Sequence, residues 1–214
     1  SEKMTQKERQ EHSRQEILQA ALDEFGTYEY AQVTVDNVCA RHNISKGMLY
    51  HYYSGKDDLF LLCVGDTFEK LSEFVAQNEF QLKDHSALDS LTAYYQCREQ
   101  FFAAHPRRRK VFESAMLHPP AHLESKLREL RAPVWQINRQ FWQRVVRQYP
   151  MRAGLKEEQV MRYLESIDYA FQTILEQYNE AGNARDIYDI LQITSEILEM
   201  LLFGVMQPQK EEQV

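Results

Sequence analysis

Apolar residues recur at intervals of three and four positions along most of the chain, and this spacing predicts helices rather than strands. Two stretches near the C-terminus show it most regularly. The first comprises Val160, Leu164, Ile167, Phe171, Ile174 and Tyr178, and the second comprises Ile187, Ile190, Thr194, Ile197 and Leu201. Only seven glycines and six prolines occur in 214 residues, which favours long helices over turn-rich sheets. The pattern therefore predicts an all-α fold.

The first predicted helix contains an apolar stripe that ends at Phe25. It has two candidate starts, because Thr5 with Glu8 and Ser13 with Glu16 both match the capping-box pattern of a hydroxyl residue followed three positions later by a glutamate. The sequence does not decide between these two starts.

The segment 34–56 has the signals of two short helices joined by a tight turn. Thr34 and Ser45 are suitable N-caps, because a hydroxyl oxygen can accept a hydrogen bond from an unpaired backbone N–H. Asn43 lies between them and tolerates the left-handed conformation that a C-cap requires. Two capped helices with so short a break must cross at a steep angle, which predicts a helix-turn-helix.

Polar and aromatic residues cluster on the outer face of the second helix and just beyond it. Lysine and tyrosine bond phosphate oxygens, a glycine allows close approach, and a helix start beside a lysine suits a phosphate. The predicted DNA contacts are Thr34, Ser45, Lys46, Gly47, Tyr50, His51 and Lys56. An ordinary helical core with a solvated lysine remains the alternative, since helix-turn-helix geometry also occurs in proteins that bind no DNA.

Residues 13 to about 70 resemble the N-terminal domain of the tetracycline-repressor (TetR) family of bacterial transcription regulators. The family pattern Val-Ser-Lys-Gly-x-Leu-Tyr-x-x-Phe is matched by residues 44–53, and residues 56–59 match the opening of the fourth helix. Earlier matching positions are Ala20, Ala21, Phe25, Thr34 and Val35. The chain departs from the family at His42-Asn43, where Ala-Gly is usual, and at Tyr53, which replaces the phenylalanine.

The resemblance implies a three-helix helix-turn-helix head in residues 1–56 and a larger helical ligand-binding and dimerisation body in residues 57–214. The implied function is a ligand-responsive transcription regulator, specifically a repressor. It would bind a palindromic operator in double-stranded DNA as a homodimer and be released by a small-molecule effector. A helical ligand-binding module that has lost DNA binding is the alternative.

Charge is the best argument for that alternative. The chain carries a net charge of −7, and residues 1–56 contain eight acidic and seven basic side chains. This balance predicts weak non-specific affinity for DNA. A local cluster of cations can still bind, because salt screens charges beyond about 8–10 Å.

The sequence lacks the motifs that are typical of enzymes, metal-binding proteins and membrane proteins. No glycine-rich phosphate loop, GxSxG or HExxH motif is present, so we expect neither an enzyme nor a cofactor. His118 and His122 are separated by two prolines, which prevent a metal-binding helix. No apolar run reaches the roughly 18 residues of a membrane span, and no signal peptide opens the chain. With three cysteines in no CxxC pair, this predicts a cytoplasmic protein with no membrane partner.

The predicted body offers candidates for an effector pocket. Its aromatic and methionine residues are individually more typical of a core, yet collectively they suit the pocket that the resemblance implies. The candidates are Phe102, Phe112, Met116, Trp135, Trp142 and Tyr169. The basic run 107–110 fits either a salt-bridged surface patch or a contact with an anionic effector or DNA backbone.

Two adjacent apolar seams on the last helix form an arc that is wide for a single neighbouring helix. Burial within its own monomer is one explanation. We favour a four-helix interface made with a symmetry mate, to which the family resemblance also points. The predicted interface residues are Val160, Leu164, Phe171, Ile190, Ile197, Leu198, Leu201 and Leu202.

Overall fold

The computed structural model describes residues 4–78, 86–182 and 185–205, which form ten α-helices and no β-strand. The prediction of an all-α fold is confirmed. The helices are α1 (Gln6–Phe25), α2 (Val35–His42), α3 (Lys46–Tyr52), α4 (Lys56–Gln77), α5 (Ala87–Ala104), α6 (Pro106–Leu117), α7 (Glu124–Leu130), α8 (Ala132–Gln148), α9 (Glu157–Glu180) and α10 (Ile187–Val205). No helix in these ranges is both long and apolar enough to cross a membrane.

The first helix begins at the earlier of its two candidate starts. Thr5 is the N-cap of α1, and its side chain and that of Glu8 bond each other's backbone N–H groups in a capping box. The alternative cap, Ser13, lies inside the helix. Both patterns fit the motif, and the upstream one adds two further turns to α1.

The chain forms two compact units that do not follow the predicted boundary at residue 56. The first unit is Ser1–Lys70 with Phe102–Arg131, and the second is Leu71–Phe101 with Ala132–Val214. The three helices of the predicted head therefore share a unit with α6 and α7. The proposed domain limits of 1–56 and 57–214 remain a prediction.

The core of the first unit is built on α1, which packs against α2, α3 and α6. Ile17, Ala21 and Phe25 on α1 are at most 1% exposed, as are Val38 of α2 and Leu49 of α3. Burial of such side chains contributes about 1.5–3 kcal/mol each for the larger ones. The apolar stripe that the sequence predicts on α1 is therefore the face against which the two short helices, α2 and α3, pack.

The basic run on α6 is a salt-bridged patch within this unit. Arg107 pairs with Asp23 at the end of α1, and Lys110 pairs with Glu29 in the following loop. Arg108 pairs with Asp66 of α4, and both of these side chains are only 18% exposed. Three cations of the run therefore bind carboxylates that lie far away in the sequence.

In the second unit α8 packs against α9, and α9 also contacts α10. The largest fully buried side chains of this unit include Tyr94 of α5 with Phe141 and Trp142 of α8. In the N-terminal half of α9, the side chains of Val160 and Leu164 are buried, at 1% and 2% exposure. The unit is therefore a helical core rich in aromatic residues.

Gly26, the C-cap of α1, lies against α6. A Cβ added there would lie 2.8 Å from Arg107 Cα and 2.5 Å from the carbonyl oxygen of Leu22. Both atoms belong to the backbone, so a larger residue forces the helices apart. Only glycine fits at this position without a shift of α6.

We predict that Gly26→Ala lowers the free energy of unfolding by about 1–3 kcal/mol, the usual range for overpacking. Urea denaturation followed by circular dichroism measures the change. Gly47→Ala is the matched control, because nothing lies within 4 Å of a Cβ there and alanine favours a helix by up to about 1 kcal/mol. Equal stability of Gly26→Ala and the wild type would contradict the close packing.

Candidate nucleic-acid interface

Local hydrogen bonds fix the ends of α2 and α3. Thr34 Oγ1 accepts from the backbone N–H of Asn37 at 3.1 Å, and Ser45 Oγ accepts from that of Met48 at 3.1 Å. Asn43 adopts the left-handed conformation, with φ 54° and ψ 38°, and closes α2. Each hydroxyl accepts a bond in these caps, so its own proton is available to donate to a ligand.

The two faces of α3 differ sharply. Leu49 is 0% exposed and holds the helix to the core, whereas Tyr50 is 53% exposed. The structure places six of the seven predicted DNA-contacting residues on the surface. These are Thr34, Ser45, Lys46, Gly47, Tyr50 and His51. One exposed, polar and aromatic face of a helix-turn-helix is thus assembled.

Lys46 has a carboxylate partner in its own chain. Its Nζ lies 2.8 Å from Asp36 Oδ1, and both side chains are more than half exposed. The hydrogen bond to Asp36 raises the pKa of Lys46 above its ordinary value. A phosphate that binds Lys46 must therefore compete with this carboxylate.

Lys56, the seventh predicted contact, is half-buried and bound to Tyr30. Its Nζ donates to the backbone carbonyl of Tyr30 at 2.7 Å and lies 4.2 Å from the centre of that tyrosine's ring. An ammonium group has three donors, so this bond leaves others for a phosphate. Lys56 consequently ties the start of α4 to the loop before α2.

A cluster next to Lys56 was missed by sequence reasoning. The hydroxyl of Tyr30 donates to Asp57, and His122 Nε2 lies 2.9 Å from the other oxygen of the same carboxylate. The bond from Tyr30 holds the pKa of Asp57 below its usual value, and burial raises that of Tyr30. Tyr30 and His122 lie 27 and 65 residues from Asp57 in the sequence, so no local sequence motif predicts the cluster.

The six effector-pocket candidates do not all fall in one place. Phe102 and Phe112 contact each other in the first unit, with ring centroids 4.8 Å apart, and Met116 is buried in the same unit. Trp142 is buried and Trp135 half-buried in the second unit. The side chain of Tyr169 lies outside the described residues.

The predicted interface residues are mostly buried within the single chain. Val160, Leu164, Ile190, Leu198 and Leu202 are each at most 4% exposed. Their own chain covers these side chains, and their place in an interface with a second copy stays a prediction. Ile197 and Leu201 are half-buried, and the side chain of Phe171 lies outside the described residues.

The described residues show no group of three or more histidine, cysteine, aspartate or glutamate side chains that could hold a metal ion. Cys39, Cys63 and Cys97 are all buried free thiols. Burial raises the pKa of each above its ordinary value, which disfavours the reactive thiolate.

Comparison with known proteins agrees with this geometry. Residues 17–63, which span the end of α1 through the start of α4, match the family model described as bacterial regulatory proteins, tetR family. The HTH-type transcriptional repressor AcnR of Corynebacterium diphtheriae is 34% identical over 65 residues. The match covers 30% of this chain and 34% of AcnR, about a third of that relative's length.

Solved structures extend the likeness over the remaining helices. The transcriptional regulator FadR from Bacillus subtilis, in complex with stearoyl-CoA, has a TM-score of 0.58 at 16% identity, covering 89% of this chain and 98% of that one. A putative TetR-family transcriptional regulator from Syntrophomonas wolfei has a TM-score of 0.58 at 14% identity, covering 95% and 99%. At these identities the likeness shows the fold. Residues 17–63 are thus similar to the tetR family of bacterial regulatory proteins, and the chain as a whole shares the fold of these solved regulators.

Proposed function

We propose that this protein is a repressor that binds a palindromic DNA operator as a homodimer and leaves it when a small molecule binds. The observation that carries the proposal is α3, a capped helix whose apolar face is buried while Lys46, Tyr50 and His51 face solvent. A helix-turn-helix with such a face inserts its second helix into the major groove. A two-fold dimer presents two such helices, which makes the operator palindromic.

Backbone phosphates on either side of the groove have two candidate donors. The hydroxyl of Thr34 stands at the start of α2 with its proton free to donate, and Lys56 stands at the start of α4. Helix starts favour anions, because their first N–H groups have no partner within the helix. Thr34 and Lys56 would thus set the orientation of α3, while α3 selects the sequence.

The ion pairs of the first unit weaken the argument that an acidic head cannot bind DNA. Asp23 and Glu29 are neutralised by Arg107 and Lys110 of α6, which lie outside residues 1–56. These two carboxylates are among the eight of residues 1–56, which would otherwise outnumber the seven cations of that segment. Pairing cancels their long-range field, which supports DNA binding over the alternative of a module that has lost it.

A stripe on α10 supports the homodimer. Ile197, Met200, Leu201 and Gly204 occur at the spacing of one helical face, and Met200 is 69% exposed. Nothing lies within 4 Å of a Cβ at Gly204, so a second helix can approach closely there. We assign the contact with the second copy to this stripe instead of the buried leucines on the adjacent face.

Release by an effector follows from two-state thermodynamics. A ligand lowers operator affinity only by binding the DNA-free state more tightly than the DNA-bound state. A coupling free energy of about 1–3 kcal/mol gives roughly 5- to 150-fold release. FadR, which shares the fold, was solved with stearoyl-CoA, and this supports a small-molecule site in the C-terminal helices here.

The operator is found by fluorescence-polarisation screening of the DNA that flanks the protein's own gene. We predict that Tyr50→Ala weakens binding to that operator by about 1–3 kcal/mol, because a side chain contacting base edges is lost. Tyr163→Ala is the matched control, since Tyr163 is 57% exposed on α9. Equal operator affinities of Tyr50→Ala and Tyr163→Ala would contradict the assignment of α3 as the recognition helix.

We predict that Asp36→Asn tightens operator binding by up to about fivefold, because Lys46 no longer has an internal partner and exposed ion pairs are weak. Binding isotherms at several salt concentrations measure the change. Glu158→Gln alters the net charge equally at an exposed site of the second unit and should have little effect. A gain of the same size in both variants would trace the effect to overall charge.

We predict that Met200→Glu converts the dimer to monomers at micromolar concentration, because the interface would bury an unpaired carboxylate. Analytical ultracentrifugation reports the mass, and circular dichroism checks the fold. Gln136→Glu, which adds the same charge to the exposed surface of α8, should stay dimeric. A dimeric Met200→Glu protein would place the interface elsewhere.

A further inference from the structure

Arg98 is a buried cation with no anionic partner in the part of the chain that the structure describes. The residue is 7% exposed and lies on α5 in the second unit. Its Nη2 donates to the hydroxyl of Tyr94 and to the side-chain carbonyl of Asn138, which are both neutral oxygens. Its Nε–H is buried without any acceptor. An isolated buried charge is strongly destabilising unless something compensates it.

The surroundings hold this guanidinium in one orientation. Tyr94 lies one turn before Arg98, and the guanidinium carbon is 4.5 Å from the centre of its ring. Asn138 of α8 accepts from the Tyr94 hydroxyl as well as from Arg98. Phe141 of α8 stacks on the ring of Tyr94, with ring centroids 4.1 Å apart. A side chain fixed in this way loses little conformational entropy when a ligand binds it.

A second unpaired donor lies on α8 in the same unit. Phe141 contacts Trp142, whose ring is 1% exposed and whose Nε1–H is buried without an acceptor. Buried polar atoms in folded proteins nearly always have partners, so two unpaired donors within one helical core are unusual. A ligand that carries an acceptor and an apolar surface would satisfy the unpaired Nε–H of Arg98.

We propose that Arg98 anchors the carboxylate of a small-molecule effector whose apolar part packs among the aromatic side chains of the second unit, an inference that rests on the effector-released repressor proposed above. The carboxylate oxygen accepts from Nε–H, and its single negative charge neutralises the single positive charge of the guanidinium. A phosphate monoester offers the same anionic oxygens but brings a charge of about −1.5 to −2. It would leave an excess charge in the core, so the carboxylate is the better match.

The first test compares acids with their neutral esters on the wild-type protein. Octanoate, decanoate, benzoate and naphthoate are each titrated beside the matching methyl ester, with octyl phosphate as the phosphate arm. Isothermal calorimetry measures the affinities. We expect at least one acid to bind about ten- to a hundredfold more tightly than its ester, as a charge-assisted bond implies. If no acid is preferred over its ester, or octyl phosphate is preferred over octanoate, the carboxylate anchor is overturned.

The second test removes the charge. Arg98→Met keeps an unbranched apolar side chain and should abolish the preference for acid over ester, while the unliganded variant should be no less stable than the wild type. Arg139→Met, the same change at an exposed surface ion pair with Glu165, should retain the preference. Retained preference in Arg98→Met overturns the proposal. The acid–ester comparison on the wild type decides the question even if Arg98→Met does not fold.

A third measurement separates this inference from the proposed function. Operator affinity is measured with and without the preferred acid, for the wild type and Arg98→Met. Binding through Arg98 without any change in operator affinity would support the carboxylate site and contradict release by an effector. Release of the operator by a methyl ester, with no acid preferred, would support the repressor and overturn the site.

Discussion

The packing of α1 against three other helices is the constraint on which the helix-turn-helix depends. Helices α2 and α3 are too short to be stable alone, because isolated helices below about 12–15 residues are marginal in water. The buried face of α1 supplies the apolar partners that hold both at a fixed angle. Ala20 and Ala21 are at most 1% exposed, and their small side chains allow the close approach. The exposed face of α3 is a consequence of this buried contact.

Features that depend on neighbouring residues were predictable from the sequence. The caps at Thr34 and Ser45 and the left-handed Asn43 each require only a hydroxyl or an amide at one position in a short pattern. The exposed face of α3 followed from helical spacing in the same way. These elements account for the fold class and for the location of the candidate site.

Features that depend on the tertiary fold were not predictable. Hydrophobic spacing identifies which residues of α10 are covered, yet it does not say whether the cover is the same chain or a second copy. Leu198 and Leu202 are covered by their own chain, whereas Met200, which the pattern did not single out, is exposed. Likewise, Arg107 binds Asp23 and Arg98 binds Asn138, which lie on other helices, and no sequence motif predicts either contact.

The pairing of α6 with the first helices has a consequence for biosynthesis. The first unit includes residues 102–131, so its chain is interrupted by the 31 residues of Leu71–Phe101 that belong to the second unit. During translation the helix-turn-helix residues leave the ribosome well before α6 does. Asp23 and Glu29 remain without their cations, and the α6-facing side of α1 remains open, until that helix follows. The unit that contains the helix-turn-helix is thus completed late in synthesis, although its helix-turn-helix is encoded first.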